Sequence, residues 1–251
     1  MFISWSSRRK FLYLSVAALI VAILAIWAWF TFFYKAPTCF DGVQNGNERG
    51  VDCGGSCSLI CASDTHQPVV LWSRLFPTSP GIYTAAAYVQ NANVGAGARA
   101  VHYSFQLFDD TNSLVIERDG VMDLPPIQTV PIIETNISTG NRTASRVLFA
   151  FSNIPVWNTV QMNAIPTVRV TGQVLAPDGS RLSATIANDT VLDTSHLTVD
   201  AVLFDVDGVA RASSKSEIVS LPHKTSQDVV FTWPYGIPNI VRAEITVLPS
   251  F

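Results

Sequence analysis

The four cysteines are the residues whose type and spacing most directly predict chemistry. Cys39, Cys53, Cys57 and Cys61 lie within one stretch of 23 residues, and the chain has no others. Cysteines clustered this closely form disulfides in an oxidising compartment, or else bind zinc as thiolates. The intervals of 13, 3 and 3 residues between them do not match paired C-x-x-C zinc knuckles. We therefore expect two disulfides, with a four-thiolate zinc site as the alternative, and the sequence leaves all three pairings open.

Oxygen-bearing side chains between these cysteines predict a second kind of chemistry. In a twelve-residue calcium loop that starts at Asp41, position 5 is Asn45 and position 12 is Asp52. Val43 occupies position 3, where an oxygen ligand is usual, and Glu48 would compensate. The loop thus predicts a weak calcium site formed by Asp41, Asn45, Glu48 and Asp52. The alternative is that Asp, Asn and Gly simply make turns here. No other cofactor is expected.

The same stretch resembles a motif of bacterial surface proteins that often lies just outside a membrane anchor. The chain from Cys39 to Cys57 reads CFDGVQNGNERGVDCGGSC, which follows the pattern C-x-D-G-x-x-N-x-x-E-x-G-V-D-C-G-G-x-C. The resemblance implies an extracellular location and no enzymatic activity.

One acidic motif is similar to the nucleophile motif of haloacid-dehalogenase-type phosphatases, in which an aspartate attacks phosphorus. It reads Val-Leu-Phe-Asp205-Val-Asp207-Gly208, and only 43 residues follow it. That length is too short for the parallel α/β core that this chemistry needs, and the flanking pattern is strand and hairpin. We therefore expect a turn here. The four histidines show no ligand spacing, and we expect no catalytic residue and no enzymatic activity.

A long apolar segment precedes the cysteines. The 24 residues from Phe11 to Tyr34 include no charged side chain, and a helix of that length crosses a hydrocarbon core of ~30 Å. Aromatic residues crowd its far end, as is typical of a membrane interface. Arg8, Arg9 and Lys10 precede it. The positive-inside rule therefore predicts a cytoplasmic tail at 1–10, a signal-anchor helix at 11–34 in the lipid bilayer, and later residues outside the cytoplasm.

Three other interpretations of this segment stay open. A cleaved signal peptide has a shorter apolar core and a small-residue cleavage site, whereas the exit here is Phe-Phe-Tyr-Lys. The residues from Ser7 to Leu12 resemble a twin-arginine export signal. A buried helix of a soluble protein is the third alternative, although such a helix is rarely apolar on every face.

The charge of the remaining chain excludes one class of partner. Of the 16 basic residues 12 lie after Lys35, as do all 19 acidic residues, so this part has a net charge of −7. Nucleic-acid binding needs a basic face that neutralises phosphates, and we expect none here. Proteins of the cell envelope or surface are the expected partners.

The chain after residue 62 has the pattern of an all-β protein. Short runs rich in Val, Ile, Thr, Phe and Tyr alternate with turn clusters, and no convincing helical stripe is present. In one run, Val101, Tyr103, Phe105 and Leu107 alternate with polar residues, which predicts a half-buried strand. Leu197, Val199, Ala201 and Leu203 share a face in the same way.

The second half of this region repeats the order of the first. Asn188 matches Asn91 at an offset of 97 residues, and Asp205 matches Asp109 at an offset of 96. We therefore predict two tandem immunoglobulin-like β-sandwiches, at 68–165 and 166–251, after a small Cys-rich disulfide segment at 36–62. The first copy has extra residues around 136–143. Loops on a rigid sandwich often bind ligands, so this insertion is the best binding candidate, and a tolerated surface insertion is the alternative.

The strand ends of both halves resemble two families of bacterial and plant β-sandwich. The FxLYD domain is matched by Phe105-Gln-Leu-Phe-Asp109 and by Ala201-Val-Leu-Phe-Asp205. The Asn-Pro-Asn of late-embryogenesis-abundant type 2 domains corresponds to Asn91-Ala-Asn93, which departs from it at alanine. These resemblances imply a non-enzymatic sandwich of the surface or of the stress response.

Together these features predict a non-enzymatic, single-pass membrane protein that presents two β-sandwiches outside the cytoplasm, for interaction or as a spacer. The alternative is an accessory subunit of an envelope complex for secretion, pilus formation or wall assembly.

Overall fold

The computed structural model describes residues 5–34, 36–161, 165 and 167–249. Parts of several predicted segments lie outside this range: 1–4 of the tail, Lys35 after the helix, 162–164 and 166 at the boundary between the sandwiches, and 250–251 at the end. Two compact units are formed, Met1–Cys57 and Ser58–Phe251.

The first unit begins with helix α1, Trp5–Phe32, which includes most of the predicted span. It starts six residues before Phe11 and ends two before Tyr34, because the helical backbone continues into the basic residues that precede the apolar run. Residues Arg8–Phe32 have a mean hydropathy of 2.5 in their most apolar part, and the side chains there are exposed all round. By length and composition this is a membrane-span candidate, with the features of an anchor or of a signal sequence.

The described part of the second unit is built of strands, apart from a short 3-10 turn at Ala62–Asp64, and the all-β prediction is confirmed. The strands are β1 (Val69–Ser79), β2 (Ile82–Asn91), β3 (Ala96–Phe108), β4 (Leu114–Leu124), β5 (Gln128–Ser138), β6 (Arg146–Phe151), β7 (Trp157–Thr159), β8 (Val168–Leu175), β9 (Arg181–Asn188), β10 (Thr194–Asp205), β11 (Ala210–Leu221), β12 (Thr225–Thr232) and β13 (Ile240–Pro249).

Strands β1 to β7 form two antiparallel sheets that enclose one core. One sheet has the order β1-β2-β5, and the other has the order β4-β3-β6, with β7 also paired to β3. The predicted inward face of β3 is confirmed, since Val101, Tyr103, Phe105 and Leu107 are all buried in this core. Full burial of one such side chain contributes roughly 1.5–3 kcal/mol, so this face helps to hold the two sheets together.

Strands β8 to β13 form a second pair of sheets, with the orders β11-β10-β13 and β12-β9-β8. Leu197, Val199, Ala201 and Leu203 of β10 are fully buried in the core between them. On the opposite sheet, β9 alternates between buried and half-buried residues, as expected for a strand with one covered face.

A third apolar cluster stacks the two sandwiches on each other. Its fully or almost fully buried members are Phe76, Ala86, Ile133, Val202, Phe204 and Ala210. The first three belong to sheet β1-β2-β5 and the others to β10 and β11. At its edge the Tyr88 hydroxyl donates a hydrogen bond to Glu244 Oε2 at 2.9 Å, and the ring of Tyr88 meets that of Phe204 edge-on. The sheets of the two halves therefore share buried surface.

Strand β10 is buried on both faces, which differs from the half-buried strand predicted by its alternation. Residues 199–205 are buried without interruption. The reason is the stacking: Val202 and Phe204 point away from the second core and into the third cluster. A near-continuous apolar run is typical of a strand covered on both sides.

Candidate functional site

All four cysteines are disulfide-bonded. Cys39 pairs with Cys57, with their Cα atoms 5.6 Å apart, and Cys53 and Cys61 are also in disulfides. Their sulfurs are therefore not free thiolates, so the zinc alternative does not fit this structure. A disulfide limits the freedom of the unfolded chain, which suits a segment too small to have a core of its own.

The predicted calcium ligands lie close together, but their side-chain oxygens accept hydrogen bonds from the loop's own groups. The Asp41 carboxylate accepts hydrogen bonds from the Val43 amide and from Asn45 Nδ2, and Asp52 accepts from the Asp41 amide. Glu48 Oε2 accepts from the amides of Asn45 and Asp52. These carboxylates thus hold the turns of the segment, as the alternative interpretation expects.

The arrangement leaves calcium binding as a prediction. Among the described residues, one group of at least three His, Cys, Asp or Glu side chains has its ligand atoms within 4.8 Å of one another. It is formed by Cys39, Glu48 and Cys57, and its two sulfurs are bonded to each other. Asp41 and Asp52 are not part of that group. Asn45 Oδ1 is buried and makes no hydrogen bond to the described residues.

Asp205, from the phosphatase-like motif, organises a hairpin turn. Its Oδ1 accepts hydrogen bonds from the amides of Asp207 and Val209, and its Oδ2 pairs with Arg211. These hydrogen bonds, the Val209 amide first, hold the pKa of Asp205 below its ordinary value. The carboxylate is thus occupied by the turn that the sequence predicted.

Asp109 has the same kind of environment in the first sandwich. Its Oδ1 accepts from the amides of Thr111 and Ser113, and Arg142 pairs with its Oδ2 at 2.9 Å. Hydrogen bonds, the Thr111 hydroxyl first, hold its pKa well below the ordinary range. The two aspartates therefore stabilise corresponding turns in the two halves.

Two buried asparagines also have corresponding roles. Asn91 Nδ2 donates to the carbonyl oxygens of Ala96 and Pro125, both at 2.8 Å. Asn188 Nδ2 donates to the carbonyl oxygens of Leu192 and Leu221. Each asparagine is itself buried, and its amide group links a loop to a strand end through these hydrogen bonds.

Within the insertion around 136–143, residues 140–143 line an open groove of about 760 Å³ together with the 77–81 turn and Tyr235. Arg142 fixes the loop, since it donates to the Leu114 carbonyl as well as to Asp109. Tyr235 is 79 % exposed, which leaves its ring accessible. The loop predicted as a binding candidate therefore lies beside a concave surface that includes an exposed aromatic ring.

A cavity between the stacked sandwiches has an ionisable group that sequence inspection missed. Its volume is about 320 Å³, and Asp200 of β10 lines it. Asp200 is 2 % exposed, and its Oδ1 has no hydrogen-bond partner among the described residues. Lys215 of β11 pairs with Asp200 in the register of the two strands, but its side chain makes no hydrogen bond to Asp200 Oδ1. The sequence feature that could have revealed this site is an aspartate inside the apolar run Val199-Asp-Ala-Val-Leu-Phe204.

Burial controls the electrostatics of this cavity. It raises the pKa of Asp200 to about 8, although the nearby Lys215 ammonium acts in the opposite direction. Burial and then the neighbouring Glu134 raise the pKa of Tyr103 far above its ordinary value. The Tyr103 hydroxyl donates to Glu134 Oε1 at 2.7 Å. In this cavity burial thus favours the neutral form of Asp200, whose Oδ1 has no hydrogen-bond donor among the described residues.

Comparisons with known proteins add no functional information. The chain matches no protein-family profile, and no curated protein sequence matches it. One matching solved structure is a candidate beta-galactosidase from Bacteroides fragilis, at 11 % sequence identity and a TM-score of 0.19. The match covers 65 % of this chain and 32 % of the other, so the chain spans about a third of that protein.

Proposed function

We propose that this is a non-enzymatic membrane-anchored protein that presents two stacked β-sandwiches outside the cytoplasm, for contact with envelope or surface proteins or as a spacer. The observation that carries the proposal is the helical segment Arg8–Phe32, whose most apolar part has a mean hydropathy of 2.5 and no buried side chain. Such a surface is stable in lipid, where a helix also satisfies its own backbone hydrogen bonds.

The orientation is supported by charge and by the cysteines. Arg8, Arg9 and Lys10 lie at the amino-terminal end of the helix, which favours a cytoplasmic start. The disulfide between Cys39 and Cys57 follows the helix in sequence, and disulfides persist in oxidising compartments. The second unit then lies on the same side as the cysteines.

A membrane-impermeant maleimide tests this orientation in intact cells. Val206 is 76 % exposed at a hairpin turn, so a Val206→Cys variant offers an accessible thiol if that turn is extracytoplasmic. We expect labelling of Val206→Cys without permeabilisation and labelling of Ser7→Cys only after it. The reverse pattern would overturn the orientation, and the unsubstituted chain is the control because its cysteines are disulfide-bonded.

The apolar cluster between the two sandwiches supports the idea that residues Ser58–Phe251 are presented as one rigid body. The groove beside 136–143 is the surface of this body that we propose for contact with a partner protein. Cross-linking in intact cells followed by purification tests this role. A Tyr235→Ala variant, which removes the exposed ring, is expected to lose the cross-linked product, whereas Tyr235→Phe keeps it. Equal yields from both variants would contradict this assignment.

A second candidate is an accessory subunit of an envelope complex, favoured by an exposed sheet edge. Strand β1 is an edge strand, and Val69, Val70 and Leu71 at its start are 37–50 % exposed. An edge of this kind offers unpaired backbone groups to a strand of another protein. The N–H groups of successive residues alternate between β2 and the open edge, so either Val69→Pro or Val70→Pro removes an outward donor. At least one of the two proline variants is expected to release a subunit held in this way, whereas Val70→Thr does not.

A further inference from the structure

We propose that the cavity between the two sandwiches binds a small primary amine with an apolar body, and that the ammonium group of this ligand pairs with Asp200. The inference is independent of the membrane topology, because both walls of the cavity belong to Ser58–Phe251. It assigns a ligand class to a site whose residues come from both halves of the fold.

The first argument is the isolated carboxyl group. Asp200 is almost fully buried, and its Oδ1 is without a donor among the described residues. Burial of a polar group without a hydrogen bond is unfavourable, and burial of a charge more so. An ammonium group supplies three N–H donors and the opposite charge, so it satisfies this oxygen and stabilises the ionised carboxylate.

The second argument is the composition of the walls. Much of the surface around Asp200 is apolar, and it includes Met122, Pro131, Ile132 and Leu248. A volume of about 320 Å³ lies at the lower end of the 300–1,000 Å³ that is typical of small-molecule sites. The apolar part of the wall favours a ligand with an apolar body, and the buried Asp200 favours a polar group on it that pairs with a carboxyl.

The other charged groups near the cavity do not supply the missing partner. Asp123 Oδ1 accepts a hydrogen bond from the Ala100 amide, and Glu134 accepts from Tyr103. Lys215 and His196 also line the cavity, and they would attract a carboxylate ligand. A carboxylate ligand, however, would bond Asp200 only while this side chain is protonated and would repel its ionised form, whereas an ammonium group pairs with the ionised form. The unpartnered buried oxygen therefore favours the amine.

Three probes of similar size test this choice on the full chain in an uncharged detergent. Benzylamine, benzyl alcohol and benzoate share a ring and differ in charge, and saturation-transfer nuclear magnetic resonance reports the binding of each at pH 8. We expect benzylamine to bind at least tenfold more tightly than benzyl alcohol. An Asp200→Asn variant should reduce benzylamine binding to the level of the alcohol, and an Asp110→Asn variant at an exposed turn should leave it unchanged.

A second variant tests the location without changing the carboxyl group. Thr198 is half-buried and lines the cavity, so Thr198→Phe fills part of it and should weaken benzylamine binding at least fivefold. Tighter binding of benzoate than of benzylamine would overturn the proposal. Equal binding of all three probes, no binding of benzylamine, or full binding to both the Asp200→Asn and the Thr198→Phe variants would also overturn it.

Discussion

Replacement of Asp200 by asparagine should make the protein more stable at neutral pH, although it removes a native side chain. Burial raises the pKa of Asp200 from 3.8 to about 8. Between these values the folded protein keeps a proton that the unfolded chain has released, so the free energy of unfolding falls as the pH rises. Each pH unit in this window lowers it by about 1.4 kcal/mol.

The size of the effect at pH 7 follows from the same two values. The interval from 3.8 to 7 corresponds to about 4 kcal/mol of lost stability, which is an upper estimate for one buried carboxyl. Asparagine has nearly the same shape and stays neutral at every pH. Asp200→Asn should therefore match the parent protein near pH 4 and exceed it by up to about 4 kcal/mol at pH 7.

Chemical unfolding of the full chain in detergent, followed by the circular dichroism of the β-sheets, measures this difference. The difference in unfolding free energy between the two proteins should increase steadily from pH 4 to pH 8 and then level off. An Asp110→Asn control removes an exposed carboxyl and should run parallel to the parent protein. Parallel profiles for Asp200→Asn and its parent would refute the account of Asp200.

Three further substitutions test the hydrogen bonds of Asn188, the packing between the two sandwiches and the disulfide-bonded segment at 36–62. Asn188→Ala removes a donor from the Leu221 carbonyl and one of two donors from the Leu192 carbonyl, and it should lower the unfolding free energy by about 1–3 kcal/mol in the same unfolding assay; a loss below about 1 kcal/mol would contradict its role. Phe204→Ala opens a cavity between the sandwiches and should cost about 3–5 kcal/mol, whereas the exposed Val206→Ala should cost little. Cys39→Ser removes the bond to Cys57 and should make 36–62 sensitive to protease, with mass spectrometry of the fragments as the measurement; an unchanged digest would contradict a stabilising disulfide.

Local features of this fold were predictable from local patterns. The alternation along β3 correctly predicted its buried face, and the residues around Asp109 and Asp205 predicted the two turns. Both features depend on residues that are neighbours in the sequence, because side chains alternate along a strand and aspartates bond nearby amides in turns. The apolar run after Arg8 likewise gave the helix, with an error of a few residues at each end.

The contacts between sandwiches were not predictable in the same way. Alternation along β10 shows which residues share a face, but it does not show that a second sheet covers Val202 and Phe204. The cavity at Asp200 depends on this stacking, so its residues come from strands far apart in sequence. An aspartate within an apolar run was the one local indication of a special site. The calcium candidates share a loop, as predicted, but the structure shows their oxygens bonded largely to the loop's own amides.

Protease treatment of intact cells tests the central claim most directly. With an epitope tag at the carboxyl terminus, the account predicts that added protease removes the tag from whole cells while a cytoplasmic marker protein stays intact. Purified protein, digested under the same conditions, shows that the tag is cleavable. A tag that survives on intact cells and is lost only after permeabilisation would place Ser58–Phe251 in the cytoplasm and contradict the proposed function.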